Sequence, residues 1–327
     1  MLAAIYDRQG PASEVLRQED VPTPQPGPGE VRVRIRCSGV NPSDVKSRGG
    51  TIRRPIAFPR VIPHSDGAGD IDAVGPGVPA QRIGERVWVW NAQWKRPFGT
   101  AAEFITLPSE QAVRMPGNLD YAAGACLGIP AMTAWQAVRM AGAEPGRTLL
   151  VAGGAGSVGH YAIQIARARG ARVITTVSSD AKAQHARQAG ANEVIDRHGE
   201  DVAARIAAYT GGQGVDAVIE VDFAANVAML PSVLRPHGAV VVYGAGAPTA
   251  AIPGGWMLQN NVSLLFTLVY ELSPADRAAA LAGLQAMLHD NQLRHAVALR
   301  FPLSEIAAAH EAVEQGKAIG NVVVDIG

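Results

Sequence analysis

The strongest constraint on how this chain can fold is the run "TLLVAGGAGSVG" at residues 148–159. An apolar stretch gives way to Gly153, Gly154, Gly156 and Gly159, after which Val158, Tyr161, Ala162 and Ile165 recur at helical spacing as far as Gly170. That pattern predicts a strand, a tight turn and a helix from about Ser157 to Arg169. Gly154, Gly156 and Gly159 have the spacing G-x-G-x-x-G, a weak signal when it stands alone. Between a strand and a helix it is the fingerprint of a dinucleotide site. The first glycine permits the turn, the second lets the backbone approach a pyrophosphate, and the third lets the helix pack closely on the strand. Ser157 and Val158 then open a helix whose unpaired N–H groups favour negative charge. The competing reading is a glycine-rich turn with no ligand.

The next predicted strand, residues 172–177, ends in "TTVSSDAK". A site for NAD usually places Asp or Glu there, about 20 residues on, to bond the ribose 2′-hydroxyl. Here Ser178 and Ser179 occupy that point, Lys182 follows one helical turn after Ser178, and Arg197 comes just after the strand "EVID". An acid would repel a 2′-phosphate, whereas hydroxyls and cations bind it. Ser178, Lys182 and Arg197 therefore predict NADPH. Asp180 competes for the acidic role, but it lies two residues late and reads as a helix cap.

Along the chain, residues 1–122 are β-rich. "EVRVRIRCSGV" alternates Arg32, Arg34 and Arg36 with apolar residues, which predicts a strand with one wet face. From about residue 123, helices alternate with strands: a helix over 180–189, the strand "NEVID", a helix over 201–209, the strand "VDAVIEV", a helix over 224–234 and the strand "GAVVVYGAG". Such alternation predicts a doubly wound parallel sheet, an α/β fold, running to about residue 270. Residues 261–270, "NVSLLFTLVY", read as its last strand, and 271–327 as a return segment. Asp120 is placed to cap a helix, and Pro130 to interrupt or restart the next one. The 29 basic and 29 acidic residues balance, which disfavours nucleic-acid binding. No apolar run approaches membrane-spanning length, no signal peptide is evident, and Cys37 and Cys126 form no metal-type pair. A cytoplasmic chain is expected.

Taken in order, "SGVNPSDVKSRGG", "IPHSDGAGDIDAVGPGV", "GIPAMTAWQAV", the glycine loop, "QAGANEVID", "HGAVVVYGAG" and "AHEAVEQGKAIGNVVV" resemble the zeta-crystallin-like quinone oxidoreductases of the medium-chain dehydrogenase/reductase superfamily. The resemblance implies a GroES-like β-rich catalytic domain, formed by both chain ends, around a Rossmann nucleotide-binding domain. It implies that Asn41 lines the active site near the nicotinamide and that Thr133 helps hold the carboxamide. Tyr243, Gly244, Ala245 and Gly246 would form the nicotinamide-side wall with Leu265, Phe266 and Thr267. Asn41 also reads as a turn residue before Pro42, and Thr133 as a helix residue bonded to its own backbone.

Zinc-dependent relatives carry a Cys at the place of Asn41 and a His at the place of Ser65; His64 stands one residue early. No metal is expected. Lys46 replaces a usual Tyr, and two readings stay open: it could bond a quinone oxygen or point into water. Asn321, where a basic residue is common, and the Trp-rich stretch "WNAQWKRPFGTAAEF" are further departures. The implied activity is hydride transfer from NADPH to a quinone. An activated alkene is the alternative acceptor, and a non-catalytic NADPH-binding or RNA-binding protein is the alternative of another class. A homodimer paired through residues 262–270 is expected.

Overall fold

The computed structural model describes residues 1–51, 56–316 and 318–327; Lys317 of the closing motif lies outside them. The chain divides into two compact units, Met1–Ile129 with His295–Gly327, and Pro130–Arg294.

In the first unit the predicted alternation holds along Glu30–Val40. Val31, Val33, Ile35 and Cys37 are buried, while the three arginines face outward. Arg32 pairs with Asp72 at 2.9 Å and Arg36 with Asp70 at 3.0 Å, both on the neighbouring antiparallel strand Asp66–Val74. The basic array is thus a salt-bridged sheet face. The sheet has seven strands, in the order Val297–Pro302, Asn321–Asp325, Glu30–Val40, Asp66–Val74, Arg86–Val89 and Ala112–Arg114, with Phe104–Pro108 also paired to Glu30–Val40. Strands from both chain ends share one sheet, and Val324 packs in one core with Ile5, Val33, Ile35 and Leu107. Asn321 is buried and donates from its amide to the Ala296 carbonyl at 3.1 Å, a structural role.

The second unit carries a six-stranded parallel sheet in the order Glu193–Asp196, Arg172–Val177, Thr148–Val151, Val215–Glu220, Leu234–Val242, Ser263–Phe266. Central strands such as Thr148–Val151 are buried throughout because helices cover both faces of such a sheet. From Thr148–Val151 the chain winds outward through Arg172–Val177 to Glu193–Asp196, then continues on the other side from Val215–Glu220. The order therefore reverses between Thr148–Val151 and Val215–Glu220. A crevice opens at such a reversal, outside the carboxyl ends of the strands.

Several local expectations change. The return to the first unit begins at His295 rather than 271, and the first boundary lies at 129/130 rather than 122/123. The helix Pro274–His289 stays with the second unit, where Gly283 lies so close to the Trp135 ring that a Cβ would fall 2.0 Å from it. The helix expected over 224–234 breaks into Phe223–Asn226, a tighter turn at Val227–Met229, and Leu230–Val233. The strand that follows starts at Leu234, and residues 243–246 lie beyond its end. The last strand spans only Ser263–Phe266, because the chain turns into a short 3-10 segment at Val269–Glu271. Ser179, not Asp180, caps the helix Asp180–Gln188, its hydroxyl accepting the Lys182 N–H. Asp120 does cap Tyr121–Gly124, and a π turn at Leu127–Ala131 contains Pro130.

Candidate cofactor and catalytic site

The glycine loop leaves the carboxyl end of Thr148–Val151, beside the reversal of strand order. Its glycines are required for different reasons. At Gly154 a Cβ would lie 2.1 Å from Thr175 Oγ1, and at Gly159 it would lie 2.4 Å from the Gly153 carbonyl oxygen. Both are buried, and packing alone demands glycine there. Gly156 is exposed, and a Cβ would meet nothing nearer than the Gly153 oxygen at 3.4 Å. The protein itself leaves that space open. Gly156 also precedes the helix Ser157–Ala168, whose first residues, Ser157 and Val158, are only half-buried. Packing within the protein does not require this glycine, and an open loop before a helix N-terminus fits a dinucleotide.

The residues expected at the ribose phosphate are brought together. Val177 is register partner to Asp196, so the following residues, Ser178 and Arg197, leave adjacent strand ends. The Arg197 N–H donates to the Val177 carbonyl at 3.0 Å, and Lys182 Nζ donates to Ser178 Oγ at 3.1 Å. The Arg197 side chain is exposed and Lys182 half-buried.

The wall residues also meet. Val242 is paired with Phe266, and the Thr267 N–H donates to the Val242 carbonyl at 3.0 Å. Tyr243 donates its N–H to Glu220, while Gly244 and Ala245 accept from the Phe223 and Ala224 N–H groups at 3.0 Å. A Cβ at Gly244 would lie 1.9 Å from the Val221 oxygen, and one at Gly246 would lie 1.7 Å from Asp222 Oδ1. Leu265 and Thr267 are half-buried and Phe266 is exposed. Thr133, in the same unit, is buried in the helix Met132–Met140.

Asn41 and Lys46 belong to the first unit. Asn41 is buried and stands just before the helix Pro42–Gly49. Its N–H donates to Asp44 Oδ2 at 2.8 Å, and its amide Nδ2 donates to Asp66 Oδ2 at 2.9 Å. Lys46 is exposed. Two positions along a helix are about 200° around its axis, so Lys46 lies opposite Asp44, the residue bonded to Asn41. Asp44, Val45 and Arg48 make the buried face instead.

Asp44 and Asp66 were not singled out by sequence patterns. Burial lifts the Asp44 carboxyl to about 7, against the opposing bonds from Asn41. Burial likewise raises Asp66 well above the ordinary carboxylate range. The available signal was slight: acids at residues 44 and 66 inside otherwise packed segments.

The neighbouring histidine is structural. Thr100 donates its one hydroxyl proton to the Asp66 carbonyl, at 2.5 Å. Ser38, 2.7 Å from Thr100 Oγ1, must then be the donor of that pair. His64 Nδ1–H in turn donates to Ser38 at 2.8 Å, and His64 Nε2 accepts from His310 Nε2 at 2.9 Å. Both imidazoles are held neutral by burial, His64 down to about 3. With both His64 nitrogens engaged, Asn41 tied to Asp66 and Ser65 in place of a ligand, these residues do not fit a zinc ion. Among the described residues no group of three or more His, Cys, Asp or Glu is placed to hold a metal.

Comparison with known proteins agrees with this architecture. Residues 27–117 match the alcohol dehydrogenase GroES-like domain, and residues 157–285 match the zinc-binding dehydrogenase family. A quinone oxidoreductase of Pongo abelii is 31% identical over 98% of this chain and 96% of its own length. A 2-haloacrylate reductase of Burkholderia sp. is 30% identical over 99% of this chain and 98% of its own. A mycobacterial protein solved in complex with NADPH superposes with a TM-score of 0.88 at 31% identity, covering 99% of this chain and 100% of that one. The GroES-like sheet, the parallel sheet with its glycine cradle and these near-full-length likenesses agree: the chain belongs to the quinone oxidoreductases of the medium-chain dehydrogenase/reductase family, enzymes that use a nicotinamide cofactor.

Proposed function

We propose that the protein is an NADPH-dependent, metal-independent quinone reductase. The observation that carries this reading is the open glycine cradle at the reversal of strand order, with Ser178, Lys182 and Arg197 gathered at the adjoining strand ends. When bound, the reduced nicotinamide supplies a hydride. Gly156 and the first N–H groups of Ser157–Ala168 receive the pyrophosphate. Lys182 and Arg197 neutralise the 2′-phosphate, with Ser178 adding a hydroxyl. Residues 243–246 and 265–267 wall the nicotinamide. Asn41 supplies a neutral polar contact at the reacting centre, and Thr133 holds the carboxamide. Quinones accept hydride without Lewis-acid help, which suits residues that do not fit zinc. Lys46 remains on the outer face of its helix and takes no part.

A second reading, reduction of an activated carbon–carbon double bond, draws support from the likeness to a 2-haloacrylate reductase. Anaerobic NADPH oxidation against para-benzoquinone, ortho-naphthoquinone, cyclohexenone and a 2-haloacrylate separates the two. Turnover of the quinones well above that of the alkenes is expected. Alkene turnover alone would move the assignment to the second reading, and turnover of none would end both.

A homodimer and a cytoplasmic setting complete the proposal. Ser263–Phe266 is an edge strand whose partner strand lies on one side, and Phe266, Leu268 and Leu258 beside it are 63%, 47% and 80% exposed. Pairing with a second copy covers such an edge. Both cysteines are buried and unbridged, in keeping with a reducing compartment.

A further inference from the structure

We propose that Asp66 is the positioning residue of the acceptor site, acting through Asn41 by holding the Asn41 carboxamide with its NH2 group turned inward. The inference rests on the assignment of Asn41 to the reacting centre. Asp66 itself is 0% exposed and cannot touch a substrate in this unit. Its Oδ2 accepts two N–H bonds at 2.9 Å, one from Asn41 Nδ2 and one from the Ile129 backbone. Its carbonyl is fixed by Thr100, and its backbone is register partner to Gly39 at the end of Glu30–Val40. The carboxyl is therefore held by two bonds at Oδ2 and the backbone that carries it by Thr100 and Gly39, with Asn41 as the side-chain amide that Oδ2 holds.

Neighbouring residues leave room for this arrangement. A Cβ at Gly128 would fall 2.2 Å from Asp66 Oδ1, and one at Gly39 would fall 3.1 Å from Asp66 Cβ. Asn41 is separately pinned at its backbone by Asp44. An amide side chain rotates freely about its last two torsions unless both ends of the group are specified, and a fixed donor–acceptor pair removes that freedom. Burial favours the uncharged acid at Asp66, so the useful property is an accepting oxygen at a fixed place rather than a negative charge.

The test is a double-mutant cycle on the full-length protein with NADPH and the best acceptor of the panel above. Asp66→Ala and Asn41→Ala should each lower kcat and kcat/KM by about 10- to 100-fold, the scale of a misplaced contact near reacting atoms. The double variant should lose no more than about threefold beyond Asn41→Ala, because Asp66 acts through that side chain. NADPH affinity, read by fluorescence titration, should stay within about twofold in all three. Asp66→Asn, which keeps an accepting oxygen and the side-chain shape, should recover activity to within about fivefold of wild type even if Asp66→Ala folds poorly. Losses that multiply in the double variant would overturn the inference while leaving the Asn41 assignment intact. A folded Asp66→Asn as inactive as Asp66→Ala would do the same. An Asn41→Ala variant of full activity would remove the Asn41 assignment and this inference with it.

Discussion

At the scale of single residues, the proposed preference for NADPH and the acid–base behaviour can be tested at few groups. Ser178 and Lys182 are bonded to each other and Arg197 starts from the adjoining strand end. Replacing Lys182 and Arg197 together by Ala should weaken NADPH by roughly 30- to 1,000-fold, about 2–4 kcal/mol, from about 1.5–3 kcal/mol per charge-assisted hydrogen bond with partial redundancy between the two cations. NADH should change little. Equal losses for both cofactors in paired titrations would place the phosphate elsewhere. Asp44 offers a pH test. Its carboxyl is lifted to about 7 by burial, so the native state holds that proton more tightly than the unfolded chain does. Its stabilising contribution is complete below about pH 4 and is lost as pH rises to about 7. Asp44→Asn keeps an oxygen for the Asn41 N–H and cannot ionise. Its melting temperature relative to wild type should therefore rise between about pH 4 and pH 7, then level off. A difference that stays constant across that range would mean that Asp44 is ionised throughout.

At the scale of elements, the strand Ser263–Phe266 decides assembly. The Thr267 N–H points inward to Val242, and N–H directions alternate along a strand, so the Phe266 N–H points away from its partner strand. Phe266→Pro removes that outward donor and spares the inward pairing. The variant should remain folded by circular dichroism, yet become monomeric by light scattering. A folded dimer would take this edge out of the interface. The same element shows where local patterns mislead. Residues 261–270 are apolar almost throughout, which predicts a ten-residue strand, but only the four residues Ser263–Phe266 pair. Leu268 and Phe266 are exposed, and hydrophobicity records a need for cover without saying what provides it.

At the scale of the whole molecule, neither of the two units contains a fitting zinc site among its described residues. Among these residues no helix is long and apolar enough to cross a membrane. Prolonged dialysis against a chelator should leave activity and melting temperature unchanged. One zinc per chain by elemental analysis, lost together with activity, would overturn the metal-independent reading. Much of this architecture was legible in the sequence. The turn at Gly154–Gly156–Gly159, the alternating strand of Arg32, Arg34 and Arg36 and the βα succession are local patterns, dictated by the backbone needs of neighbouring residues. Ser178 and Arg197 could be placed together because parallel strands that follow one another tend to lie side by side. The positions of the unit boundaries were not legible, since nothing local to residue 271 shows that Gly283 will pack on Trp135, almost 150 residues earlier. Nor was the Asn41–Asp66–Ile129 cluster, whose members are separated by 25 and 63 positions and meet only when the sheet forms. A sequence determines by itself what short-range geometry and periodic burial require. Which buried polar groups become partners is decided by tertiary structure, because a desolvated donor must find its acceptor wherever the fold has placed one.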